Sequence, residues 1–464
     1  MKLKHLQIPP LRWIIVLLPL IGAFFYVPLA FGGVTPETLR VLDILLAVAA
    51  VFWAGLLVYR KRLPSISPLC LISLLVLVLL GVAYVLNPHS FHRESDWKLV
   101  PLFKAIEWLP GSVDRDASVP VLLNLGALLL AGLVMQDAVA SSKVRWLLFR
   151  TIALSGFVIA LIGIIQKADG QEAMLWVTPE RSGSVFFAAF RYHANAASFL
   201  NLSWPAAFAV WMRSRTKDPG GILSSLDFCV LFFVIAAVFV NTSKAGHLLG
   251  LIGLAAIGWR FRSELKPRNI SRSGAVILGV LLAGMLAVVL LPAIFSSIEK
   301  WKGFAADGGS LRGRLEAYEV CLQAIPASGI FGTGAGTFRY IFHQYSAAKG
   351  GDVSASFWYH AHQDWLQGII EWGYLGFAAW LVLFGGAFLR HGKRVREARE
   401  NGHLEISSSV SLISLTLVLI HSLVDFPLQI PAIQLLVVFY LAVGWVGPTR
   451  VVTSGAQKSP PEAG

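Results

Sequence analysis

The chain has 464 residues, 56% of them hydrophobic and only 14% charged, with a mean hydropathy of +0.67. A soluble globular protein carries roughly 25% charged residues, so a soluble enzyme or soluble binding module is excluded. The formal net charge of +13 would also suit a nucleic-acid binder, but the basic residues are divided among separate short segments, and no nucleic-acid partner is expected.

In chain order, apolar runs long enough to cross a bilayer predict an all-α polytopic membrane bundle of about 12 transmembrane helices. The predicted spans are 12–31, 38–59, 67–86, 118–136, 146–166, 192–212, 222–241, 244–259, 274–295, 361–389, 407–424 and 428–447. The first could pass for a signal peptide. It is long and further spans follow, so it reads as a retained first helix. With Lys2, Lys4 and Arg12 in the cytoplasm, every second loop should be rich in Lys and Arg. Arg60-Lys61-Arg62, Lys143 with Arg145, Arg213 with Arg215 and Lys217, the Arg260–Arg272 group and the Arg390–Arg399 group all obey that alternation. Both termini are therefore expected in the cytoplasm.

The long loops fall on the opposite, outer side: Asn87 to Ala117, Lys167 to Arg191, and the largest from Ser296 to Tyr359. Long loops tend to carry function. Three blocks are predicted: spans one to five over 1–180, a core over 181–450 that includes the outer loop 296–360, and a polar, disordered cytoplasmic tail over 451–464. Cys70 and Cys229 fall in spans and Cys321 in an outer loop. With no CxxC or zinc spacing, neither disulfides nor metal clusters are expected.

Within the largest loop, Leu315, Tyr318, Leu322 and Ile325 recur at helical spacing. They predict an amphipathic helix along the membrane face, ended by Pro326 and Gly329. Glycines 329, 332, 334 and 336 then make a turn region. It lacks the GK[ST] ending of a phosphate-binding loop, so no nucleotide cofactor is expected.

The next candidates lie where a polar segment meets an apolar one. In a helix begun at His360, the residues His360, Asp364, Gln367 and Glu371 share one face, while His362 points toward the loop unless the helix begins after it. The plain reading is a capped helix with snorkelling polar groups, but Glu371 sits too deep for that. An extended His360, His362 and Asp364 could hold zinc, yet the spacing is not HExxH and no cysteine assists, so no metal is expected. Five cations, Arg181, Arg191, Lys244, Arg312 and Arg314, lie at the outer side. Each alone can be an interface anchor; converging, they would bind an anion, arginine best of all through its planar fork. His421 and Asp425, four apart, can pair in a helix, with Pro427 and Pro431 breaking the chain beyond them. That pair suits a structural cap as well as a catalytic role.

Together these segments resemble the O-antigen ligase and Wzy-type polymerase superfamily of bacterial inner-membrane glycosyltransferases. The signature H-[NQ]-x-x-L-Q followed by E-x-G-x-x-G is matched by His362 to Gln367 and by Glu371 to Gly376. The family's G-R-x-x-x-[WY] resembles Gly313-Arg314 through Tyr318, and its glycine turn ending in Phe resembles "GTGAGTF". Thr242 to Lys244 is similar to a T-x-S-[RK] element, where the family usually has arginine. Asn195 to Ser198 matches an N-x-x-A element in part. The resemblance covers about 180 to 450, and the first 170 residues match in hydropathy alone.

The resemblance implies a GT-C-like membrane fold and a cofactor-free glycosyltransferase. Its donor would be a glycan on undecaprenyl pyrophosphate, and its acceptor a sugar hydroxyl on a glycan or on lipid A-core, met at the periplasmic face. His362 is then the general base or the group that orients the acceptor, since imidazole titrates near neutrality. Arg314 is the first choice for the pyrophosphate, followed by Arg191 and Lys244, and Glu371 orients a neighbouring cation. Preorganised arginines would stabilise the departing charge without a metal. Arg181, Arg312, His360, Asp364, His421 and Asp425 complete the expected substrate-binding set. Ligase and polymerase share this chemistry and differ in acceptor. The rival from another class is a twelve-helix transporter or lipid flippase. Against it, the major loop is external and off centre, and no matching halves are visible.

Overall fold

A computed structural model describes residues 11–64, 66–93, 98–101, 105–170, 173–179, 186–219, 221–265, 308–349, 353 and 358–446. The expected ninth span at 274–295, Arg181 and the tail from 451 lie outside the described residues. The described chain is all-α, with thirteen α-helices: α1 Leu11–Leu29, α2 Pro36–Tyr59, α3 Pro68–Leu86, α4 Arg115–Ala138, α5 Ser142–Ala168, α6 His193–Lys217, α7 Ile222–Val240, α8 Lys244–Arg260, α9 Gly308–Ser328, α10 Phe338–Lys349, α11 Asp364–Glu400, α12 Ile406–His421 and α13 Pro431–Trp445. Two small antiparallel hairpins decorate the loops: β1 Ser90–Arg93 with β2 Lys98–Pro101, and β3 Ala173–Met174 with β4 Thr178–Pro179.

Seven of these helices are long and apolar enough to cross a membrane, and α12 and α13 are shorter apolar helices. Every predicted span inside the described residues coincides with a helix, because unbroken apolar runs satisfy their backbone polar groups only as helices in lipid. α6 forms the hub. Its residues from Ala194 to Val210 are all buried, and it packs against α5, α7, α8 and α12. The run "ANAASFLNLSWPAAFAV" is rich in small residues, which let neighbouring backbones approach closely. Two of the buried polar groups inside it pair with each other and with the neighbouring helix: Asn201 Nδ2 donates to the Gly246 carbonyl (2.9 Å) and Trp204 Nε1 to Asn201 Oδ1 (3.1 Å).

The basic loops gather at one end of the bundle. There Arg62 pairs with Asp137 at 2.6 Å, Arg150 with Asp227 at 2.8 Å, and Arg394 donates to the Val443 carbonyl at 2.6 Å. The long loops, α9 and α10 sit at the other end. α9 runs over the expected segment. Ala317, Val320, Cys321 and Ala324 pack inward against Phe338, Ile341 and Phe342, while Leu315 and Leu322 are more than half exposed. The small side chains win the interface because α10 approaches closely, and the leucines face outward as a membrane-lying helix requires.

α11 is interrupted at Gly373 (φ 62°, ψ −175°). The glycine turn 329–336 docks into that break. Thr333 N donates to the Ile370 carbonyl and Gly334 N to the Glu371 carbonyl, both at 3.0 Å, and Leu375 N returns a bond to the Ile330 carbonyl at 3.0 Å. A Cβ on Gly332 (φ 75°) would strike the Glu371 carbonyl and the Gly373 nitrogen. The two glycine motifs of the sequence are thus two halves of one backbone joint, and the freed helical groups of α11 are paired within it.

Candidate active site

The joint fixes the start of α11, and the start of α11 fixes the site. Gln363 caps the helix, its Oε1 accepting from Leu366 N at 2.6 Å. Asp364 N donates to the Ser422 carbonyl (2.9 Å), while the Asp364 carboxylate accepts from Leu428 N and Gln429 Nε2, each at 2.9 Å. The first residue of α11 therefore clamps the turn between α12 and α13. Gln367 Oε1 accepts from Ala361 N (3.2 Å), its Nε2 donates to Glu371 Oε1 (3.1 Å), and Glu371 also accepts from Phe338 N (3.2 Å). Asp364, Gln367 and Glu371 do share one buried face. Their partners are backbone groups and amides of the loop, so the stripe holds the loop against the helix. Glu371, expected to orient a cation, is bonded to the glycine turn and Gln367 instead.

Because the helix begins after it, His362 is released from the stripe. Its backbone is left-handed (φ 50°), a conformation rare for a non-glycine residue, and Tyr318 Oη donates to its carbonyl at 2.8 Å. This turn lays the imidazole against Asp425, with Nδ1 3.1 Å from Asp425 Oδ1. Arg314 lies on the other side of the same carboxylate: its Nη2 is 4.0 Å from Asp425 Oδ2 and 3.3 Å from Tyr192 Oη, and its Nη1 donates to the Val424 carbonyl at 2.7 Å. Tyr192 Oη donates to Asp425 Oδ2 at 3.3 Å. Phe426 stacks flat on Tyr192 and meets the edge of His362, and His360 stacks on it at 4.5 Å between centroids.

The electrostatics give each group a state. Burial would raise the Asp425 carboxyl, but the hydrogen bond from His362 and the nearby His421, His362 and Arg314 outweigh it and hold it below the ordinary carboxylate range. An ionised carboxylate accepts only, so His362 Nδ1 donates to it, and in the neutral ring Nε2 then presents the lone pair. Burial, then the Asp425 charge, raise the Tyr192 phenol, which stays protonated as the donor its geometry requires. Burial and the adjacent His362 pull His360 down to about 4, so at neutral pH it is an uncharged plate. His362 and Arg314 side chains are each 26% exposed and Asp425 is 5% exposed. The arrangement is a reachable base oriented by a buried acid, beside a reachable cation.

The structure thus brings together His362, Arg314, Asp425 and His360. His421 lies near but does not form the expected pair. α12 ends at His421, the chain turns away, and Asp425 reaches His362 and Arg314 instead. Both His421 ring nitrogens are buried without a hydrogen-bond partner among the described residues. Arg191 is exposed, with its guanidinium over the Phe31 ring at 5.2 Å. Lys244 is the first residue of α8, following the Ser243 cap. Arg312 is exposed and pairs with Glu316 at 3.0 Å. Among the described residues no group of three His, Cys, Asp or Glu side chains is placed to hold a metal ion.

Sequence reasoning missed Tyr192, Phe426 and Arg339. Tyr192 and Phe426 each adjoin a residue that was singled out, Arg191 and Asp425, yet a lone aromatic at a span end carries no distinguishing signal. Arg339 follows the glycine turn directly, and that adjacency is the one available clue. It lines a cavity of about 580 Å³ that runs between α4, α11 and α13, with Tyr359 and His360 beside it at the mouth.

A bundle whose helices are long and apolar enough to cross a membrane, with an oriented histidine and an arginine at one end, is that of a polytopic membrane protein. Residues 229–381 match the family model described as O-antigen ligase, Wzy_C, and over that stretch the chain is similar to the O-antigen ligase and Wzy-type superfamily. The matched stretch takes in Arg314, the glycine turn and His362 through Gly376. No curated protein matches the chain.

Proposed function

We propose that the protein transfers a glycan from undecaprenyl pyrophosphate to an acceptor sugar hydroxyl at the periplasmic face of the inner membrane, without a metal. The observation that carries this reading is the His362–Asp425–Arg314 cluster at the helix ends opposite the basic loops. The acceptor oxygen attacks the anomeric carbon, and a new C–O bond forms as the bond from that carbon to the diphosphate oxygen breaks. The electron pair leaves on the prenyl diphosphate, and the hydroxyl proton passes to His362 Nε2. Asp425 stabilises the imidazolium that results. Arg314 places positive charge where the leaving group becomes more anionic, and Arg191 and Lys244 extend that field at longer range.

The family match over 229–381 supports transfer over transport. The acceptor is another glycan in a polymerase and lipid A-core in a ligase, and both fit the same cluster. The test is a deletion strain complemented with wild type or His362→Ala. Wild type restores surface polymer, whereas His362→Ala inserts normally and restores none; polymer at wild-type levels from the variant would remove His362 from the chemistry. Accumulated full-length lipid-linked chains identify a ligase, and accumulated single repeats a polymerase. Transfer by purified protein persists in EDTA; a loss reversed by a divalent ion would overturn the metal-free mechanism.

A further inference from the structure

The end of the bundle opposite His362 holds positive charge that the fold itself leaves uncompensated. α5 opens with Lys143, Arg145 and Trp146, and α6 closes with Trp211, Arg213, Arg215 and Lys217. α5, α6 and α7 pack against one another, so the two basic segments meet at a three-helix corner. Arg213 lies within electrostatic reach of Arg145 and Arg150, and Lys217 of Arg213 and Arg150. Like charges gathered at a half-buried rim repel, and the repulsion grows as water is removed from between them.

The local carboxylates do not relieve it. Asp227 is consumed by Arg150 at 2.8 Å and by the Ser214 hydroxyl. Glu405, the acid within reach of Arg145, caps α12 and accepts from Ser408 N at 3.0 Å and from the Ser407 hydroxyl. Arg394, also near Arg145, spends its fork on the last carbonyls of α13. Arg145 and Arg213 are left over. The buried Arg145 Nε has no hydrogen-bond partner, and the Arg213 guanidinium rests over the Trp146 ring at 4.4 Å. Among the described residues no ion pair reaches either guanidinium. Two neighbouring guanidinium forks without an acceptor are complementary to a phosphate.

The surroundings decide which phosphate. Arg215 lies over the Trp211 ring at 5.3 Å, and Trp211 packs on Phe228 at 5.4 Å. With Trp146 these rings make an aromatic rim, the residue class that sits at the level of lipid headgroups. Leu154, one turn further along the face of α5 that carries Arg150, is 40% exposed, and Leu226 on α7 is 56% exposed. The charged rim therefore continues directly into an apolar outer wall, which suits acyl chains and which a soluble phosphate would not need.

We propose that the corner of α5, α6 and α7 binds the phosphate of an anionic membrane lipid between Arg145 and Arg213, with Arg150 and Lys217 adding charge. The lipid is a structural ligand: it neutralises the corner and ties the three helices together at the end of the bundle away from His362. The site stands apart from the glycosyl-transfer reading and does not rest on it.

The test counts lipid bound to purified full-length protein in detergent by native mass spectrometry and follows the thermal transition in parallel. The probes are phosphatidylglycerol, zwitterionic phosphatidylcholine and inorganic phosphate. Phosphatidylglycerol should bind wild type about tenfold more tightly than phosphatidylcholine, raise the thermal transition and weaken with added salt. Arg145→Gln and Arg213→Gln should each weaken that binding about fivefold. Arg396→Gln, which removes an exposed cation of α11, and His362→Ala should leave it unchanged. Equal binding of the two lipids to wild type, a comparison that needs no variant to fold, overturns the proposal. So does wild-type affinity for phosphatidylglycerol in folded Arg145→Gln and Arg213→Gln. A thermal shift from inorganic phosphate as large as that from phosphatidylglycerol, and lost in Arg213→Gln, would make the corner a site for a soluble anion and overturn the lipid assignment.

Discussion

The role proposed for His362 rests on three local facts: a left-handed backbone that turns it out of α11, a buried carboxylate that fixes its tautomer, and a tyrosine that holds its carbonyl. A general base contributes about 10²–10⁴-fold, so His362→Ala should cost that much in kcat. Asp425→Asn keeps the shape but no longer accepts as a charged carboxylate. We expect a loss of at least about tenfold in kcat with donor KM little changed, read by steady-state kinetics. His360 gives a prediction in stability. Its folded value of about 4 lies below the ordinary value near 6.5, so between those pH values the unfolded chain binds more protons than the folded one. Stability from this group therefore falls as the solution is acidified from pH 6.5 to 4. His360→Phe, which keeps the stack on Phe426, should flatten that part of a melting-temperature profile; an identical slope in the variant would show that His360 does not titrate there.

At the scale of elements, the joint between the glycine turn and the break in α11 is what aligns the site. Gly373 occupies a backbone region open essentially to glycine alone, with strain on the order of 1–3 kcal/mol for other residues, and a Cβ there would meet the Gly332 nitrogen and, at 2.5 Å, the Ile330 carbonyl. Gly373→Ala should lower both the thermal transition and activity. Gly385→Ala, on the same helix with open space around its Cβ position, should leave both unchanged, and equal behaviour of the two would contradict the joint. Apolar runs made the helices legible from sequence, and the motif spacing made His362, Arg314 and Glu371 stand out. The use of each residue was less legible. Helical spacing suggested that His421 and Asp425 pair, because nothing local announces that α12 stops at His421 and that Asp425 answers to residues far away in the chain. Leu315 and Leu322 were legible as the face of a membrane-lying helix, whereas the small residues Ala317, Val320, Cys321 and Ala324 that pack inward carry no periodic signal of comparable strength.

For the whole molecule, the segregation of basic loops at one end and the site at the other makes a topological claim. A reporter inserted near Gly350 should read as periplasmic, and a cytoplasmic signal would place the site on the wrong side of the membrane. The central claim is that an imidazole oriented by a carboxylate, beside arginine, moves a glycan off a lipid diphosphate. Its most direct test reconstitutes the purified protein with undecaprenyl-pyrophosphate-linked glycan and an acceptor glycan, in EDTA, and follows the release of undecaprenyl pyrophosphate. We predict release matched one for one by glycan transfer in wild type and abolished in His362→Ala; equal release from both proteins, or release with no transferred glycan, would contradict the account.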